Sequence, residues 1–131
     1  MALGLSSAIA NDILDAVGNN SALTTIPVAA GCFAKLHVGD PGGAGTANAA
    51  TETTRQAVSF GTPSGGVMAN DVAVTWTAIA GSQDATHFSL WDNATAGTFL
   101  LSGTITANGY TAGDTYTAAI GAMTVTLNTA A

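Results

Sequence analysis

The chain has 131 residues, 8% of them charged, with Lys35 and Arg55 its only strong bases against eight acidic residues and a net charge of −6. Neutralising phosphates requires clustered Lys and Arg, so a nucleic-acid or anionic-membrane partner is excluded. Globular chains carry about 25% charged residues, and an isolated domain uses them to keep its neighbours apart; the composition therefore implies a subunit largely covered by other subunits.

The length suits one domain, residues 1–131, with a single core. Among its residues are 27 Ala, 20 Thr and 16 Gly. Ala adds little buried area, Thr favours a half-exposed strand surface and Gly favours turns, so the composition leans toward β structure. The start, MALGLSSAIANDIL, has no basic segment and meets Asn11 and Asp12 before an apolar run of signal length can form. No stretch approaches the ~18 apolar residues of a membrane span, so synthesis in a cytoplasm without a signal peptide is expected.

Residues 6–18 hold the one helical pattern, with Ile9, Ile13, Leu14 and Val17 recurring on one face, Ser6 or Ser7 as cap and Gly18 as terminator. Ile9, Ile13 and Val17 are thereby candidate interface residues. A polar turn and the apolar segment IPVAAGCF follow over residues 19–33, with Cys32 read as a small buried hydrophobe that has no disulfide partner. AKLHV has strand character and runs into residues 39–54, an extended loop without periodicity whose Asp40, Pro41 and glycines supply turn chemistry. Asp40 and Pro41 are candidate contact residues on it.

From residue 55 to 128 a two-residue period takes over. RQAVSF precedes the turn GTPSGG, then Val72, Val74 and Trp76 alternate with small or polar residues. THFSLWD puts Phe88 and Leu90 on one face and His87, Ser89 and Trp91 on the other; NATAG turns into TFLLSGTIT. Ala112 to Asp114 turn between a short strand and the run Met123, Val125, Leu127. Short strands with Gly and Asn turns and no crossover helix predict a mainly β protein, an antiparallel β-sandwich or jelly-roll-like body with one short N-terminal helix. Strands apolar on both faces, FSLW and FLL, must be central or covered by another subunit.

Catalytic chemistry is not assembled. His37 and His87 read as structural histidines, and the dispersed carboxylates Asp40, Glu52, Asp71, Asp84, Asp92 and Asp114 stand mostly beside Gly, Asn or Pro, where they cap backbone donors. GTPSGG has its serine at the wrong offset for a nucleophile elbow, GGAGTAN lacks the Lys of a phosphate loop, and DNATAG lacks calcium-loop spacing. No catalytic, cofactor or metal residue is therefore assigned. Trp76, Trp91 and Tyr110 are the aromatic interface candidates; Trp91 or Tyr110 on an open β surface would suit stacking on a sugar ring.

In order, LHVGDPGGAGTAN, TRQAVSFG, AVTWTAIAGSQDATHFSLWDNATAGTFLLSG and AGDTYTAAIGAMTVTL resemble a family of small structural proteins of tailed bacteriophages, labelled tail-fibre-like or minor tail proteins. L-H-x-G-D-P-G followed by R-Q-x-V-x-F is the most specific part, and the similarity spans residues 36–127. It implies a non-enzymatic virion component, made in the host cytoplasm, whose partners are copies of itself and major capsid or tail proteins. A compact decoration subunit of the capsid, gripping through the helix or the 39–54 loop, and a tail subunit are both consistent with it. The alternative is an adhesion module for a host glycan.

Overall fold

The computed structural model describes residues 3–24 and 31–130; most of the expected IPVAAGCF segment lies outside the described residues. A helix, α1 (Ser7–Asn19), precedes eight strands: β1 (Cys32–His37), β2 (Gln56–Val58), β3 (Val67–Ala69), β4 (Val74–Trp76), β5 (Gln83–Trp91), β6 (Phe99–Tyr110), β7 (Tyr116–Ala118) and β8 (Met123–Thr126). Six strands form one curled half-barrel sheet in the order β2-β1-β5-β6-β8-β3, while β4 and β7 form a two-stranded ribbon. Every pairing is antiparallel, and among the described residues no helix connects one strand to another. The mainly β, antiparallel architecture with one N-terminal helix is the one expected, the second layer being a ribbon of two strands.

The alternation of apolar residues explains the core. Leu36 on β1, Phe88 and Leu90 on β5, and Met123 and Val125 on β8 are buried in one core with Val74 and Trp76 of β4 and Tyr116 and Ala118 of β7. Each large side chain fully removed from water contributes roughly 1.5–3 kcal/mol. Phe88 stands opposite Gly103 on β6, and a Cβ at Gly103 would overlap the Phe88 ring and the Thr124 carbonyl, so this pair requires glycine. β5 is central and buried on both faces, Ser89 as completely as Phe88.

Three local expectations need correction. Helix α1 starts as expected, with Ser6 Oγ accepting from the Ile9 amide, but it runs through Gly18 and is closed by Asn20 in the left-handed region, φ 54°. Its apolar residues divide: Ile9 is buried and Ile13 packs on the core, whereas Leu14 and Val17 are 69% and 83% exposed. The chain is sewn to β6 just before the helix, by Ser6 N–H to Leu100 O at 2.7 Å and Ser102 N–H to Gly4 O at 2.8 Å, so only the first turns lie against the sheet. Strand β3 had no signal, because VMA is flanked by turn residues; it forms by pairing with β8, and the Leu127 that alternation placed inward is 43% exposed.

Candidate functional site

Directly opposite residues of an antiparallel pair share a face. Phe33, Lys35 and His37 on β1 therefore share one with Trp91, Ser89 and His87 on β5, and Ser102 and Phe99 on β6 continue it. This is the face opposite Phe88 and Leu90. Residues 39–54, expected as an extended loop, fold back over it. Asp40 Oδ1 accepts from Gly42 N–H at 2.8 Å, Ala47 N–H donates to Pro41 O at 2.9 Å, and Asn48 Nδ2 donates to Asp40 O at 2.9 Å, closing a compact turn. Val38 N–H to Asn48 O and Ala50 N–H to Leu36 O tie the turn to β1. Pro41 is fully buried, and Gly45, at φ 69°, lies so close to Phe99 that a Cβ would enter the ring.

Beneath this turn lies a buried hydrogen-bond chain. His37 Nδ1–H donates to Ala47 O at 2.7 Å, Ser89 Oγ–H donates to His37 Nε2 at 2.8 Å, and Trp91 Nε1–H donates to Ser89 Oγ at 2.8 Å. The acceptor carbonyl fixes the imidazole as the neutral Nδ1–H tautomer. Burial lowers the His37 pKa below its ordinary value, the Ala47 carbonyl opposes this, and Lys35 and His87 add to the lowering.

Arg55 and Glu52 anchor the two flanks. The Arg55 guanidinium stacks 3.9 Å over the Trp91 ring and donates to the carbonyls of Asn93 and Ala96, closing the β5–β6 hairpin. Trp91 also packs on Phe99, ring centroids 5.6 Å apart. Glu52 accepts from Thr54 N–H at 2.8 Å and from Ala80 N–H at 2.9 Å, fastening the end of the loop to the turn after β4. Burial pushes the Glu52 carboxyl up, but the hydrogen bonds from Thr54, Ala80 and Thr53 outweigh it and hold the group below the usual carboxylate range. The residues of L-H-x-G-D-P-G and R-Q-x-V-x-F thus divide between the two faces: His37, Asp40, Pro41 and Arg55 serve the loop-covered one, whereas Leu36 and Val58 are buried in the core and Phe60 stacks on Phe88 at 6.3 Å.

The ribbon side holds the remaining aromatic residues. Trp76 is 1% exposed and donates its Nε1–H to Thr54 O at 2.9 Å. Tyr116 lies 5.8 Å from Trp76 and 5.1 Å from Tyr110. Burial, with Tyr110 and Asp84, pushes the Tyr116 hydroxyl up to about 12. The buried Tyr110 hydroxyl has no hydrogen-bond partner. Sequence reasoning missed Asn70, which is 1% exposed: it donates to Val72 O and Ala119 O and accepts from Met123 N–H, joining the β3 end to the β7–β8 turn. An isolated Asn before Asp reads as a turn, and only the tertiary contacts reveal the hub.

Of the interface candidates, Ile9, Pro41, Trp76, Trp91 and Tyr110 are buried within the chain, Ile13 and Asp40 are half-buried and Val17 is open. The aromatic candidates build the fold instead of presenting rings to solvent. The large apolar side chains that are exposed include Leu14 and Val17 on α1, Val72 before β4 and Ile120 after β7. An apolar hollow of about 210 Å³ lies beneath the helix, lined by Ile9, Ile13, Cys32, Met68 and Leu90 among others. Cys32 is half-buried there, and burial followed by the Asp92 charge pushes its thiol up, away from the reactive thiolate. Among the described residues no three His, Cys, Asp or Glu side chains gather as metal ligands, and no helix is long and apolar enough to cross a membrane.

The class this defines is a small antiparallel β protein whose conspicuous side chains hold loops in place, with several large apolar side chains exposed. The family model described as podophage GP4 fiber I protein gp80 matches residues 4–126, and the chain belongs to that family, a phage tail fibre family of structural components of the virion tail. The family is not known as one of enzymes. No curated protein matches the chain.

Proposed function

We propose that the chain is a non-enzymatic subunit of a phage tail fibre, associating with copies of itself and docking on other tail proteins through apolar surface that one copy leaves uncovered. The observation that carries this is the division of α1, which buries Ile9 and leaves Leu14 and Val17 69% and 83% exposed in a chain only 8% charged. Apolar surface gains roughly 25 cal/mol per Å² when covered, and repeated contacts of this size become strong collectively. Membership of a fibre family favours the tail over a decoration site on the capsid. The glycan-module alternative gains no support, because Arg55 covers the Trp91 ring and Tyr110 is buried.

Antibody labelling of purified particles, imaged by electron microscopy, tests the assignment. Label confined to the tail at a few copies per particle is expected; label spread over the shell, or none, contradicts it.

A further inference from the structure

The motif histidine has a second role open to it. His37 is fully buried, and its two nitrogens join different parts of the molecule: the loop through Ala47 O, and the β5–β6 hairpin through Ser89 and Trp91. We propose that residues 39–50 form a proton-released strap: charging His37 frees the strap from the sheet and uncovers the Phe99 ring, the partner of Trp91, as an acid-exposed aromatic surface.

The hydrogen-bond inventory supplies the reason. In the neutral state every proton in the chain has an acceptor. A proton added at Nε2 turns that nitrogen into a donor toward Ser89 Oγ, which already accepts from Trp91; the serine proton then loses its acceptor, and a charge is buried. The groups around His37 do not offset that charge. Lys35 on β1 and His87 opposite on β5 both oppose it, and the carboxylate of Asp40 in the loop is held by Gly42 N–H. Arg55 and Asp92 at the hairpin face each other.

The direction follows from the lowered pKa of the closed state. An opened strap exposes His37 to water, where it titrates near 6.5. The closed state binds the proton less well, so closure is fully favoured above 6.5 and weakens as pH falls from there toward the closed-state value. Glu52, depressed from 4.5, still grips Ala80 in that window, so opening stays local to the strap.

Amide hydrogen exchange of the full chain from pH 7.5 down to pH 5, corrected for intrinsic rates, tests this. The amides of Val38, Ala47 and Ala50 should open up to ~10-fold more per pH unit below 6.5, while the Ile79 amide, bonded to Asp114 O on the ribbon side, stays unchanged. His37→Gln, which can donate and accept without titrating, should make strap protection independent of pH. Should that variant not fold, the imidazole ¹⁵N shifts of the native chain decide: an Nδ1–H tautomer with a midpoint below 6.5 supports the strap. A midpoint at or above that value, flat strap protection, or strap and ribbon amides opening in parallel would overturn it.

Discussion

The two faces of β5 are closed by different means. Phe88 and Leu90 are closed by apolar packing, Phe88 against Phe60 and Leu90 at the hollow beneath α1, and the pattern HFSLW, alternating large residues, suffices to place them. Ser89 and Trp91 are closed by a loop that brings one proline, two left-handed glycines and a chain of oriented hydrogen bonds. Apolar burial is tolerant of exchange and insensitive to pH in this range; the loop side depends on individual atoms and on the protonation of one imidazole. His37, Asp40, Pro41 and Arg55 belong to the second kind of closure, and Leu36, Val58 and Phe60 to the first.

Substitutions sharpen that comparison. Trp76→Ala, on the ribbon side, should lose the most, about 3–5 kcal/mol in denaturant unfolding, because the cavity adds to the lost donor at Thr54 O. Unfolding unchanged by it would mean the ribbon does not close the core. Gly45→Ala, on the loop side, should lose about 1–3 kcal/mol, since its left-handed backbone and the Phe99 ring leave no room for a Cβ; a neutral result would show the loop is free to shift. Tyr110→Phe should leave stability unchanged or slightly higher, because the hydroxyl it removes is buried without a partner. A measurable loss there would reveal a hydrogen bond that the geometry does not contain.

Much of the fold was legible because period-two alternation and hairpin turns are local signals. The alternating strands after residue 55 and the Ser6 cap follow from such signals, although the sheet also takes in β1, between β2 and β5. Other features depend on distant partners. VMA pairs only because β8 passes beside it, Asn70 is a hub only once the β7–β8 turn arrives, and Trp91 is closed by Arg55, 36 positions before it in the sequence. The helix shows the same limit in reverse: periodicity places Leu14 and Val17 with Ile9 and Ile13, but where the chain is sewn to β6 decides which of them meets the sheet.

The association of copies through uncovered apolar surface is the claim on which the functional account rests. Light scattering on the purified chain across a concentration series measures it most directly. A mass at a multiple of 12.8 kDa is predicted, falling to that of one chain when Leu14 and Val17 are both changed to Asp with the circular dichroism unchanged. A native chain that stays at 12.8 kDa at the highest concentration would contradict the account.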